Sequence, residues 1–151
     1  MAMKLINLKP PQAAWLLLAM SAGVHFLIPS RYRGGFACVI CGAVIVGLGF
    51  GLMMWAWWLF RQSGTPIRPT DRAVTLVTAG PFRFTRNPMY VGIVGMLLGI
   101  AVWAGSLPML IAPIGFFVLM SLVFIPFEER RLREYFGGAY EAYAEKVRRW
   151  L

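Results

Sequence analysis

Two short stretches concentrate the groups able to do polar chemistry in an otherwise apolar chain. Arg86, Asn87, Pro88 and Tyr90 stand together within Gly80-Pro-Phe-Arg-Phe-Thr-Arg-Asn-Pro-Met-Tyr-Val-Gly92, and Glu128-Glu129 closes a later apolar run. Asn87 can cap a helix and Pro88 suits its first turn, so a helix starting here offers free backbone N–H groups and the positive end of its dipole. Such a helix start binds carboxylates or phosphates. The carboxylates and the phenol are, by contrast, friendly to a cation. Glu128 and Glu129 also have a plainer reading, in which they only neutralise Arg86, Arg130 and Arg131 where a helix leaves the lipid.

These residues can meet only if the elements between them fold back. Four apolar runs, Pro11–Ile28, Phe36–Phe60, Pro88–Ala104 and Leu107–Phe127, are each long enough at roughly 17–25 residues to cross a hydrocarbon core as helices. Gly105-Ser106-Leu107-Pro108 is all that joins the last two, so they form a tight antiparallel hairpin. Both arms rise about 1.5 Å per residue, which brings Glu128 and Glu129 level with Arg86, Asn87 and Pro88. Tyr90 then lies about one turn inside, on nearly the same face.

With 151 residues the chain is a single domain, 1–151, and a hydrophobic share of 59% with a mean hydropathy of +0.66 takes it out of the soluble class. The expected architecture is an all-α integral membrane protein with four transmembrane helices, its C-terminal helical hairpin capped by cytoplasmic amphipathic helices. The net charge of +9 does not signal nucleic acid. If the N-terminus is cytoplasmic, Lys4, Lys9, Arg61, Arg68, Arg72, Arg83, Arg86 and every C-terminal Lys and Arg fall on that side, leaving Arg31 and Arg33 outside. This asymmetry records topology and contact with anionic lipid. Lys4 and Lys9 before a short apolar core imitate a signal peptide, but removing that helix would leave an odd number of spans, so it is read as retained.

Helix two carries Gly47 and Gly51 at small-xxx-small spacing, which permits close packing; Gly95 and Gly99 do the same for helix three, most simply against helix four. Trp55, Trp57 and Trp58 form an interfacial belt, with a wall around a cofactor as the other reading. The polar loop 61–87 is long enough to be functional, and Val74-Thr75-Leu76-Val77 reads as a lid or as a passive connector. Segment 128–151 alternates charge with Leu132, Tyr135, Phe136, Tyr140, Tyr143 and Val147, and Gly137-Gly138 divides it into two amphipathic helices lying over the open end of the hairpin. Cys38 and Cys41 lie within an apolar helix without a second pair or nearby histidine, so no metal is expected there. His25 lies far from the polar site, toward the outer end of helix one.

The stretch from about Thr65 to Trp150 closely resembles the isoprenylcysteine carboxyl methyltransferase family and its bacterial relatives, a group also similar to phospholipid N-methyltransferases. The resemblance is carried by Gly64-Thr65-x-x-x-Pro69, Leu76-Val77-Thr78-x-Gly80-Pro81-Phe82-Arg83, Arg86-Asn87-Pro88-Met89-Tyr90-x-Gly92 and Glu128-Glu129-x-x-Leu132-x-x-x-Phe136-Gly137-x-x-Tyr140-x-x-Tyr143-x-x-x-Val147-x-x-Trp150. It implies an enzyme that takes S-adenosylmethionine (SAM) at the cytoplasmic end of the last hairpin and receives a small or lipophilic acceptor. Arg86, Asn87, Pro88 and Tyr90 would lie at the cofactor, the last three against its methionyl part, with Glu128 and Glu129 on its ribose or amino group. No catalytic base follows: the family's commoner Arg-His-Pro is here Arg86-Asn87-Pro88. Leu122–Phe127 also lacks the arginine that eukaryotic members use for the substrate carboxylate, which argues against a prenylcysteine acceptor. A carboxylate, thiol or amine acceptor remains open, as do a nicotinamide-dependent membrane reductase of similar layout and a non-enzymatic membrane subunit. The resemblance to bacterial members implies an inner-membrane location, with both termini cytoplasmic. Reporter fusions at either end should therefore report the cytoplasm, and a signal from the outer side at either terminus would contradict this topology.

Overall fold

A computed structural model describes residues 9–28, 35–63 and 75–151. Gly64, Thr65, Pro69 and Val74, with most of the loop that contains them, lie outside the described residues. The described residues form helices and no strands: α1 (Pro10–Leu27), α2 (Phe36–Gln62), α3 (Pro88–Ala104), α4 (Ile111–Leu119), α5 (Ile125–Phe136) and α6 (Gly138–Lys146), with 3-10 turns at Gly80–Arg83 and Leu107–Leu110. From Leu107 to Phe136 the chain runs as one helical rod of 30 residues. That rod and α2 are the helices long and apolar enough to cross a membrane, while α3 is a shorter apolar helix. Glu128 and Glu129 thus sit on a continuation of the fourth run, and the first C-terminal amphipathic segment is not a separate element laid on a surface.

Sequence explains the breaks in the rod. Pro126 has no N–H to donate to the turn before it. The chain answers with a π turn at Met120–Phe124, where the Ile125 N–H reaches back to the Met120 carbonyl. Downstream, Gly137 takes φ 51°, ψ −128°, a conformation open to glycine and costly for any L side chain, and this separates α5 from α6 where the paired glycines predicted a break. At the other end of α3, Gly105 adopts the left-handed conformation, with its N–H on the carbonyls of Ala101 and Val102. His25 Nδ1 and the Ser106 hydroxyl share a hydrogen bond of 2.7 Å, which ties the end of α1 to this turn.

The core gathers Ala13 from α1, Ile93 and Leu97 from α3, and Ala112, Phe116, Met120, Phe124 and Ile125 from the rod. Its most intimate seam, however, runs between α2 and α3. A Cβ placed at Gly42 would lie 2.6 Å from the Gly99 carbonyl, and one at Gly49 2.7 Å from the Gly92 carbonyl. Both would strike backbone, which cannot step aside. The expectation for the glycines is corrected accordingly: Gly99 faces α2 and not the fourth helix, and Gly95 approaches only the Gly49 backbone. Gly47 and Gly51, despite their spacing, have nothing within 4 Å of an added Cβ. When every face of a helix is apolar, residue spacing does not reveal which stripe meets a neighbour. Trp55 and Trp58 point outward at 49% and 52% exposure, and Arg61 lies over the Trp57 ring.

Gly49→Ala and Gly92→Ala should each destabilise the protein by about 1–3 kcal/mol through overpacking, whereas Gly47→Ala should be neutral. Thermal unfolding in detergent measures this, and equal tolerance at the three positions would contradict the seam.

Candidate functional site

Helix α3 begins as its sequence suggests, with Asn87 at the N-cap position and Pro88 in the first turn. Asn87 does not cap with its side chain, which corrects the expectation. The Thr85 hydroxyl instead accepts from the Asn87 N–H at 3.2 Å, while Asn87 Nδ2 donates to the Arg149 carbonyl at 2.8 Å. Thr85 Oγ1 donates to the same carbonyl at 3.3 Å, and the Arg86 N–H donates to the Arg148 carbonyl at 2.9 Å. Residues 147–150 therefore form a strap across the start of α3.

The two carboxylates divide. Glu129 is 4% exposed and collects three guanidiniums. Arg149 grips it with two hydrogen bonds, Nε to Oε1 at 3.0 Å and Nη2 to Oε2 at 2.7 Å; Arg86 Nη1 stands at 3.1 Å and Arg133 at 3.9 Å. A buried carboxylate is stable only when paired and hydrogen-bonded, and the bidentate arginine supplies both. The pairing raises the Arg149 guanidinium above its ordinary value. Of the arginines first matched to this carboxylate pair, Arg86 is a partner of Glu129, and Arg133 and Arg149 take the places expected of Arg130 and Arg131.

Glu128 has a different environment. The Tyr90 hydroxyl donates to its Oε1 at 2.6 Å, and among the described residues no cation pairs with it. The Tyr90 ring in turn meets Phe116 edge-on, with centroids 6.2 Å apart. The structure thus brings Tyr90 to Glu128 and Arg86 to Glu129, whereas Asn87 and Pro88 serve the helix start.

Helix α6 closes one flank of the site through two tyrosines. Tyr140 is buried and accepts from Arg86 Nη1 at 3.3 Å; the Tyr143 hydroxyl donates to the Phe82 carbonyl at 2.7 Å. Burial first, with Tyr140 beside it, pushes the Tyr143 phenol up to about 12, and burial also raises Tyr140. Both therefore keep their protons at neutral pH. Beyond them opens a cleft of about 390 Å³ lined by Arg86, Arg133, Glu141, Ala144 and Glu145. On another side lies an apolar groove of about 310 Å³ lined by Val91, Val94, Phe117, Trp150 and Leu151. Trp150 forms its wall, stacked on Phe117 at 4.6 Å between centroids and donating from Nε1 to Ser121 Oγ at 3.1 Å.

A family model for phospholipid methyltransferase matches residues 37–139, from the start of α2 to the first turn of α6. The chain belongs to that family. Its members are membrane methyltransferases, which agrees with the apolar rod and with α2. Comparison with curated proteins and with solved structures gave no match. Tyr90, Arg86, Glu128 and Glu129 lie inside the matched segment, while the strap with Arg149 and Trp150 lies beyond it. Sequence reasoning missed Arg149: in a C-terminal cluster of basic residues, no spacing distinguishes the arginine that turns inward from those left in solvent.

Glu129→Gln should loosen the strap, since it leaves Arg86 without its counter-charge, at a cost of about 3–5 kcal/mol expected for breaking a buried pair. Faster amide exchange at Arg86 and Val147–Trp150 is the readout. Unchanged protection there would show that the strap is held by its other contacts.

Proposed function

We propose that this family member is a SAM-dependent methyltransferase embedded in a bacterial inner membrane, with four crossing helices and both termini cytoplasmic. The acceptor is small or lipophilic and presents a carboxylate, thiol or amine. The observation that carries the reading is Glu128, a carboxylate oriented by Tyr90 and, among the described residues, left without a cation while its neighbour takes three.

The residues present fit SAM. Among the described residues the buried Nε of Arg86 has no hydrogen-bond partner, and a guanidinium with a spare N–H beside a helix start suits a carboxylate. A carboxylate and two aromatic rings, Tyr90 and Phe116, suit a sulfonium. When bound, SAM supplies an electrophilic methyl group that passes in line to an acceptor lone pair as the carbon–sulfur bond breaks.

Alignment and exclusion of water are what the protein must add to such a transfer. Tyr90 fixes the Glu128 carboxyl group through its hydroxyl, so that its oxygens are already aimed before the ligand arrives. Arg86 and the start of α3 hold the anionic end. Glu129 and Arg149 keep the strap over the site. The groove walled by Trp150 offers an apolar acceptor a seat beside helix α3, one residue from Tyr90 at Val91. Asn87, where the resembling family commonly has histidine, is committed to the strap, so the acceptor must arrive as a competent nucleophile or lose its proton to water.

Calorimetry in detergent tests the reading. Glu128→Gln should weaken SAM binding by roughly 1–3 kcal/mol, the range for losing a charged partner, and weaken S-adenosylhomocysteine, whose sulfur is neutral, by less. Tyr90→Phe should weaken SAM in the same direction. Equal SAM affinity in wild type and Glu128→Gln would remove Glu128 from the site. Binding of NADPH but not SAM would instead favour a reductase.

A further inference from the structure

Away from the polar site, the last turns of α2, the Gly80–Arg83 turn and the strap each contribute an exposed arginine. A Cβ at Gly80 would lie 2.5 Å from Leu59 Cδ1 and 3.4 Å from the Trp55 ring, and Phe82 packs on Phe60 with centroids 5.5 Å apart. The Gly80–Arg83 turn is thereby held at the level of the tryptophans near the end of α2, where Arg61 lies over Trp57. Just beyond it, Thr85 bridges to Arg148 in parallel, and the Arg86 N–H donates to the Arg148 carbonyl. The strap thus passes Arg148 beside the segment that carries Arg83 and Phe84. Arg149 turns inward to Glu129, whereas Arg148, Arg83 and Arg61 are exposed. Among the described residues none of these three guanidiniums pairs with a carboxylate. Phe84, next to Arg83 in the chain, is 72% exposed.

A large aromatic ring left open beside unpaired cations is poorly placed in water and well placed in a headgroup layer. There aromatic rings settle among the lipids, and guanidiniums meet phosphates. Helix α2 is long and apolar enough to cross a membrane, and the tryptophans near its end suit that layer. We propose that Arg61, Arg83, Arg148 and Phe84 form a seat for one anionic phospholipid, with the guanidiniums on its phosphate and the ring against its glycerol and upper acyl groups. Charge complementarity selects this occupant. A zwitterionic lipid would bring an ammonium to a face where no described carboxylate receives it. A soluble polyanion would satisfy the arginines but leave Phe84, and Trp58 one turn before Arg61, in water. Because the cations come from α2, the Gly80–Arg83 turn and the strap, a bound lipid ties the chain end to α2. The seat is independent of the SAM reading and needs only the membrane setting of the family.

Native mass spectrometry of the full chain in detergent, titrated with dioleoylphosphatidylglycerol or dioleoylphosphatidylcholine, resolves the first lipid bound. Wild type should bind the anionic lipid more tightly. Each arginine near a membrane surface contributes about fivefold toward anionic lipid, so Arg83→Gln/Arg148→Gln should lower the preference about tenfold or more. Phe84→Ala should weaken both lipids together. Arg130→Gln/Lys9→Gln, which removes the same charge from the rod and the start of α1, should keep the preference. Equal affinity of wild type for the two lipids overturns the seat, as does a preference that survives Arg83→Gln/Arg148→Gln. An equal loss in Arg130→Gln/Lys9→Gln would reduce the effect to net charge and overturn it too. Displacement of the bound lipid by sn-glycerol 3-phosphate or by polyglutamate at matched concentration would assign the face to a soluble anion or an acidic protein and overturn the lipid.

Discussion

Glu129 is a carboxylate buried at the end of an apolar helical rod, and burial of that charge is tolerable only because three guanidiniums reach it. Each guanidinium comes from a different part of the chain. Arg86 belongs to the segment just before α3, Arg133 to the next turn of α5, and Arg149 to the C-terminal strap. Satisfying one charge thus fixes the start of α3 against the rod and draws the chain end across both. The backbone bonds from Arg86, Thr85 and Asn87 to the carbonyls of Arg148 and Arg149 complete the same closure.

This closure leaves the neighbouring carboxylate available. Adjacent residues on a helix point about 100° apart, so Glu128 turns away from the guanidiniums toward Tyr90 and the aromatic core. Had the arginines distributed themselves over both carboxylates, neither would be left to meet a cation. The separation of a structural carboxylate from an available one is the local feature on which the proposed site rests.

The strap also joins two environments of opposite character. Arg149 reaches the polar side, while the next residue, Trp150, lies against Phe117 and Ser121 on the apolar side. Ser121 falls in the π turn that Pro126 imposes, so the irregularity in the rod and the seating of the chain end are coupled. Under the proposed function, a charged cofactor would use the first environment and a lipophilic acceptor the second.

Much of this was legible in the sequence. Apolar runs and their punctuation marked α3 from Pro88 to Ala104, the turn at Gly105 and the break at Gly137, because helix starts, tight turns and positive φ depend on local chemistry. The approach of Tyr90 to Glu128 followed from equal rise along two helices joined by a short turn. Tertiary structure alone decided which glycines meet: Gly42 and Gly49 face Gly99 and Gly92, although Gly47 and Gly51 have the more suggestive spacing. Rotation of an apolar helix about its axis is set by the shape of its neighbour, and composition that is apolar on every face carries no record of it. The same holds for Glu129 and Arg149. Their pairing depends on where a chain end lands after the helices have packed, and a row of arginines near the C-terminus reads alike whether one of them turns inward or all remain in water.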